Sequence, residues 1–293
     1  MYAITGISGQ VGGALAHALL ERGRPLRAIV RDAKKGEPWA ARGCEVAQAR
    51  MTDADALARA FEGAQGVFLL LPPVFDPMPG FPEAREAIGA IVAALARARP
   101  RKIVCLSTIG AQASETNLLT QHTLLQRALG DQPMPVTFLR PGWFMENCAW
   151  DVRSAREEGV IHSFLQPLDR AIPMVATEDV GRTAAKLLDD DDHDDERHGA
   201  RVVELEGPRR VSPNDIAATF ASVLGKPVGA QAVPRENWRA LFDAQGMLNP
   251  EPRIRMLDGF NEGWIRFEGR DADIVKGEVA LASVIRRLVA RGE

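Results

Sequence analysis

Tyrosine is nearly missing: the 293-residue chain has one, Tyr2, in the first apolar run. A phenol acting as acid or base far along the chain is therefore excluded. Cysteine is scarce too. Cys44, Cys105 and Cys148 lie far apart and fit no CxxC or zinc spacing, so free thiols in a reducing cytoplasm are expected and a metal centre is not. Excess charge is lacking: the net formal charge is -3, which argues against a nucleic-acid or anionic-membrane partner. No apolar run approaches the roughly 20 residues that span a bilayer. The chain enters a strand-like run at once, leaving no room for a leader peptide, so a cytoplasmic location is expected. The acidic run "DDDDHDDERHG" (189–199) lacks the spaced ligands and glycine of a calcium loop and reads as a solvated surface loop.

What is present is an alternation. "MYAIT", "PLRAIVR", a weaker "CEVAQAR", "GVFLLLPP", "KIVCLST", "VTFLRPG" and "RVVELEG" read as strands. Several are nearly continuous in Val, Ile and Leu, as in parallel strands buried on both faces. Helical patterns fill the gaps. Val11, Leu15 and Leu19 share one face before Gly23, "TDADALARAFEG" starts at a Thr/Asp cap, and Ile88, Val92 and Leu95 form a stripe that ends at Pro100. The fold class predicted is α/β, a doubly wound parallel sheet. After about residue 148 the alternation weakens. A core over 1–148 and a smaller C-terminal α+β lobe over 149–293 are expected, with about 174–190 and 202–206 returning to the core. Within the lobe, "SPNDIAATFASVLG" is a clear helix, with Ser212 and Asp215 as a capping box and Gly225 as its stop, whereas 228–272 looks irregular.

The first strand runs into "TGISGQVGG". Gly6, Gly9 and Gly12 form G-x-x-G-x-x-G between a strand and a helix. A tight turn, close backbone approach and a helix N-terminus suit a pyrophosphate. At the end of the second strand stand Arg31, Asp32, Lys34 and Lys35. A guanidinium there suits a 2′-phosphate through paired hydrogen bonds, so NADP(H) is the expected cofactor. Asp32 could reach a ribose, which keeps NAD(H) as the alternative.

"TGISGQVG", "AIVRD", "MTDADALARAFEGAQGVFLLLPP", "KIVCLSTIGA", "FLRPGWFMEN" and "VATEDVGRTAAKLL" occur in that order. Together they resemble the NmrA-like branch of the atypical short-chain dehydrogenase/reductases over about residues 1–190. The resemblance implies a Rossmann core with NADP(H) or NAD(H) in the cleft beside the lobe. Gly6, Ser8, Gly9, Gln10 and Val11 would cradle the pyrophosphate. Arg31 would meet the adenosine ribose or its phosphate, and Leu71 and Pro72 would line the cofactor's ribose side. Ser107 and Thr108 would sit beside the nicotinamide ribose, and Pro141, Gly142 and Phe144 would wall the nicotinamide. One departure is Arg50, where related proteins often carry an acid toward adenine.

Typical short-chain dehydrogenases use a Ser with a Tyr-x-x-x-Lys. Here the corresponding stretch reads "NLLTQHTLLQRAL", and His122 and Gln126 hold the four-residue spacing on one helix face. A histidine variant at this place also resembles the NmrA-like group. His122 is the best candidate for proton work, because imidazole titrates near neutrality; the alternative is a histidine that only packs or hydrogen-bonds. Hydride transfer to a quinone or another electron-poor ring needs no protein acid. Trp143, Asn147 and Trp264, in the irregular half, are candidates to line an acceptor pocket. The expected function is an NADP(H)-dependent oxidoreductase acting on a small quinone-like or other apolar acceptor. The alternative is a non-catalytic NADP(H)-sensing regulator that signals to a protein partner.

Overall fold

The computed structural model describes residues 1–190 and 199–292. Strands β1 (Tyr2–Thr5), β2 (Leu26–Val30), β3 (Glu45–Gln48), β4 (Gly66–Leu70), β5 (Lys102–Leu106) and β6 (Val136–Pro141) lie side by side in the order β3-β2-β1-β4-β5-β6. Beyond them in the chain come β7 (Trp143–Phe144), β8 (Val160–Ser163), β9 (Met174–Val175), β10 (Ala200–Glu206), β11 (Gly229–Ala232) and β12 (Val275–Lys276). β10 and then β12 extend the main sheet past β6, so that among the described residues it has eight strands, all parallel. β7 pairs with β9 and β8 with β11 in two small sheets.

The helices are α1 (Gln10–Glu21), α2 (Glu37–Ala40), α3 (Ala54–Phe61), α4 (Pro82–Ala98), α5 (Thr120–Gly130), α6 (Val152–Glu157), α7 (Thr177–Asp189), α8 (Pro213–Leu224), α9 (Trp238–Ala244), α10 (Glu251–Glu262) and α11 (Leu281–Arg291). One face of the sheet is covered by α3, α4 and α5, through Leu57, Phe61, Ile91, Leu95, Leu125 and Leu129. The other is covered by α1 and α7, through Val11, Leu15, Leu19, Val180, Ala184 and Leu188. Apolar side chains on both faces explain the continuous apolar runs of β4 and β5. β3 is an exposed edge strand, which is why its sequence signal is weak. The sheet is a doubly wound Rossmann sheet, and its strand order reverses between β1 and β4.

A third apolar cluster, drawn mostly from the C-terminal half, gathers around Trp238, Phe220, Phe242, Ile254, Phe260 and Ile285. Ser212 and Asp215 exchange hydrogen bonds at the start of α8, and Gly225 ends it at φ 67°. The stretch 228–272 is more regular than its sequence suggests. α10 begins with Pro252 in its first turn and ends at Gly263, φ 88°. Its apolar stripe is hidden by Asp258, a buried carboxylate on the same face that Arg235 grips with two bonds of 2.7 and 2.9 Å. α11 and the sheet position of β12 were likewise not anticipated. β12 is fastened by Glu206, which is buried and paired with Lys276 and, at 3.0 Å, with Arg210.

The three cysteines are buried free thiols. Among the described residues no helix is long and apolar enough to cross a membrane. Of the acidic run, residues 191–198, with His193 and His198, lie outside the described residues. Asp189 pairs with Arg24 at 2.6 Å.

Candidate cofactor and acceptor site

The glycine turn sits at the carboxyl end of β1. Gly6 has φ 64°, and its carbonyl accepts from the Gly9 N–H at 2.9 Å. A methyl group on Gly12 would lie 2.3 Å from the Gly6 carbonyl oxygen, so α1 starts hard against the turn. Gly9 is the N-cap of α1 and offers no side chain, which leaves the first-turn N–H groups pointing outward without a cap. The turn is pinned from below by Thr5, whose hydroxyl donates to the Phe68 carbonyl at 3.0 Å and accepts from Leu70 N–H at 2.8 Å. Ser8 and Gly9 are exposed, while the Val11 side chain belongs to the core, so only its main chain can face a ligand. The Gln10 side-chain amide oxygen lies 3.1 Å from the Thr177 hydroxyl at the start of α7.

Past β2, Arg31 is exposed and has no carboxylate partner among the described residues. Asp32 is engaged locally: its carboxylate accepts from Lys34 N–H at 3.0 Å and caps the turn Ala33–Lys35. Arg31, Lys34, Lys35 and Arg50 thus stand at the ends of β2 and β3 as exposed cations.

Leu71 and Pro72 follow β4, and the loop they begin reaches the lobe. Asp76 accepts from Leu248 N–H at 2.8 Å and Asn249 N–H at 2.7 Å, and the Val74 carbonyl accepts from Gln121 at 3.0 Å. Ser107 and Thr108 follow β5. Ser107 is buried, and its hydroxyl oxygen accepts from the Gln126 amide at 2.5 Å. Gln126 in turn accepts from Arg140 at 2.7 Å. Arg140, in β6, is buried with Glu204 at 3.9 Å, and it pairs with Glu268 and reaches Gln112 at 3.2 Å. Arg140, Glu204 and Glu268 are absent from the sequence expectation. A single charge inside the apolar strand "VTFLRPG" was the signal for them.

His122 lies one turn before Gln126 on α5. The side chain is half-buried overall, but its Nδ1 is shut off from solvent and has no hydrogen-bond partner among the described residues. Burial lowers its pKa to about 4, so the imidazole is neutral near pH 7. A neutral ring can give or accept one hydrogen bond there, but it holds no imidazolium proton to release.

Pro141 closes β6 and the Gly142 N–H binds the Leu205 carbonyl at 2.9 Å. Trp143 is half-buried and meets Phe260 edge-on, with 5.1 Å between ring centroids. Phe144 packs against the α1 side of the sheet. Asn147 is half-buried on the turn after β7, and its amide has no partner among the described residues. Trp264 packs on the lobe core, with its indole N–H on Glu262 at 2.8 Å and Arg255 over its ring.

The model of the NmrA-like family matches residues 2–262. The chain belongs to the NmrA-like family. It is 28% identical over 249 residues to quinone oxidoreductase 2 of Escherichia coli, covering 84% of this chain and 82% of that one. It is 26% identical over 265 residues to the NAD(P)H azoreductase of Xenophilus azovorans, covering 89% and 85%. An NADPH-dependent quinone oxidoreductase of Escherichia coli, solved with NADPH, superposes with a TM-score of 0.79 at 25% identity over 98% of this chain and 99% of that one. The triphenylmethane reductase of Citrobacter, at 22% identity, has the same fold with a TM-score of 0.78, over 99% of each chain.

Proposed function

We propose that this protein is an NADP(H)-dependent oxidoreductase that passes hydride to a small quinone-like or other apolar, electron-poor acceptor. The observation that carries this is the glycine turn at the uncapped start of α1, packed so closely that a single methyl on Gly12 would collide with the Gly6 backbone. The named activities and the bound NADPH of relatives at 25–28% identity support the choice of chemistry. When bound, the dinucleotide supplies the hydride. The outward N–H groups of the turn and of the first turn of α1 hold the pyrophosphate. Arg31, with Asp32 occupied by its own backbone, addresses a 2′-phosphate. Ser107 and Thr108 stand at the nicotinamide end, and Pro141, Gly142 and Phe144 form its wall. Trp143, Asn147 and Trp264 supply apolar area with one amide for an acceptor, and His122 contributes a neutral ring.

An acceptor of this kind takes its protons from water after hydride transfer, so the chain needs to orient two rings and exclude solvent between them. Mixing the protein with NADPH and a panel of quinones, and following the nicotinamide absorbance, tests the assignment. Saturable, protein-dependent loss is expected. Tight NADPH binding with no turnover of any acceptor refutes the reductase assignment in favour of a cofactor-responsive regulator.

A further inference from the structure

The buried chain Arg140–Gln126–Ser107 has a direction that chemistry dictates. A guanidinium only donates, so the Gln126 atom 2.7 Å from Arg140 is the amide oxygen. The amide NH2 must then face Ser107, 2.5 Å away, and donate to its oxygen. A serine hydroxyl has one proton. With its oxygen already accepting, that proton is free, and no acceptor for it exists among the described residues, although Ser107 is only 3% exposed. We infer that Arg140 and Gln126 are positioning residues that fix Ser107 as a hydrogen-bond donor toward an oxygen of the bound ligand.

Arg140 is held for this task from the other side. Glu204, buried in β10, accepts from the backbone N–H groups of Glu268 at 2.9 Å and Gly269 at 2.8 Å. That brings the Glu268 carboxylate onto Arg140. Gln112 accepts from Arg140 and donates to the Arg266 carbonyl at 2.6 Å. The lobe segment 266–269 therefore anchors the guanidinium, and through it the orientation of an amide on α5.

The direction of the chain can be read without turnover. In Ser107→Cys, with Cys44, Cys105 and Cys148 replaced by alanine so that no other thiol titrates, the new thiol reports on Gln126. Adding Gln126→Met removes an N–H donor from the sulfur, so the thiol pKa, followed by thiolate absorbance, must rise. If the amide oxygen faced Ser107 instead, the same substitution would lower it, and a fall or no change overturns the inference. Arg140→Lys on Ser107→Cys keeps a donor-only group and should hold the pKa, whereas Arg140→Met should raise it; equal values for the two overturn the role of Arg140.

A second arm rests on the reductase assignment and uses its turnover. Gln126→Glu is nearly isosteric, but its carboxylate accepts the Ser107 O–H hydrogen bond that the ligand would otherwise receive. Loss of one aimed donor costs about 100-fold in kcat in comparable sites, so Gln126→Glu should fall well below Gln126→Met. A purely structural role gives the opposite order, with the isosteric Glu the milder change, and that order overturns the inference. If the wild type turns over no acceptor, the reductase assignment fails and the thiol measurements still decide the direction of the chain.

Discussion

Gly12→Ala and Gly13→Ala differ by one residue on α1 and should have opposite signs. The added methyl of Gly12→Ala lies 2.3 Å from the Gly6 carbonyl oxygen, 2.6 Å from the Gly6 carbonyl carbon and 2.9 Å from the Ile7 Cα. All three are backbone, so no side chain can turn aside, and ordinary contact is restored only if α1 withdraws by about an ångström. Overpacking of this sort costs about 3 kcal/mol at the rigid end of its range. Alanine returns about 1 kcal/mol of helix propensity, leaving a net loss of about 2 kcal/mol. The methyl of Gly13→Ala meets only the Ile7 carbonyl oxygen, at 3.5 Å, an ordinary contact. It should keep most of the same ~1 kcal/mol as a gain. In a chain of this size 1 kcal/mol moves Tm by roughly 2 °C, so the two variants should melt about 6 °C apart, on either side of wild type. NADPH titration is the second assay. Withdrawal of α1 displaces the N–H groups that face the pyrophosphate, and Gly12→Ala should lose at least about tenfold in affinity, with Gly13→Ala unchanged. Equal melting temperatures and equal NADPH affinities would refute the close approach on which the cofactor cradle rests.

Arg31→Ala should weaken NADPH binding by roughly 10- to 100-fold, the worth of a charge-assisted pair, and spare NADH; equal losses for the two cofactors would remove the 2′-phosphate contact. Burial raises the Asp151 pKa to about 7 from an ordinary 3.8. The folded state therefore holds the proton longer than the unfolded state, and stability falls as pH rises from about 4 to about 7. Asp151→Asn should accordingly stabilise the protein by up to about 4 kcal/mol at pH 8 and by little at pH 4; thermal melts with the same gain at both values would contradict this. His122 has the reverse sign. Its folded pKa of about 4 lies below the free value of 6.5, so its contribution is present above pH 6.5 and is lost as pH falls through 4. The kcat profile should consequently show no step near pH 6.5 that depends on His122, and a step abolished in His122→Gln would show the ring titrating there.

The sheet was legible because parallel strands covered on both faces must be apolar at nearly every position, as "GVFLLLPP" and "KIVCLST" are. The glycine turn and the Ser212–Asp215 box were legible because each is local, with all partners within a few residues. What escaped depends on partners far away in the chain. α10 looks irregular until Arg235 neutralises Asp258, 23 residues on, and makes a carboxylate compatible with a buried face. The placement of β12 against β10 rests on Glu206 and Lys276, 70 residues apart. In the site, the spacing of His122 and Gln126 was visible, but their states were not. Burial, not sequence, makes His122 neutral, and only Arg140, arriving from β6, decides which end of the Gln126 amide meets Ser107.

The absence of a Tyr-x-x-x-Lys pair therefore does not empty this site of charge. The cation here is Arg140, on the strand β6 behind α5, and it acts differently from a lysine on the helix. A lysine four residues from a tyrosine acts by lowering the phenol's pKa, which requires its charge to be felt at the proton being moved. Arg140 is paired with Glu268 and lies 3.9 Å from Glu204, so its field is largely compensated. What it transmits is geometry, a fixed amide and a hydroxyl proton with one direction left. Ser107 in that state gives a hydrogen bond readily and a proton poorly, and His122, held neutral by burial one turn before Gln126, has no imidazolium proton to release. Reduction of an aliphatic ketone, in which an alkoxide must be protonated as it forms, would be slow in such a site. An acceptor whose charge spreads over a conjugated ring on receiving hydride needs only the hydrogen bond. Aliphatic ketones should accordingly fail as acceptors with this protein where quinones succeed.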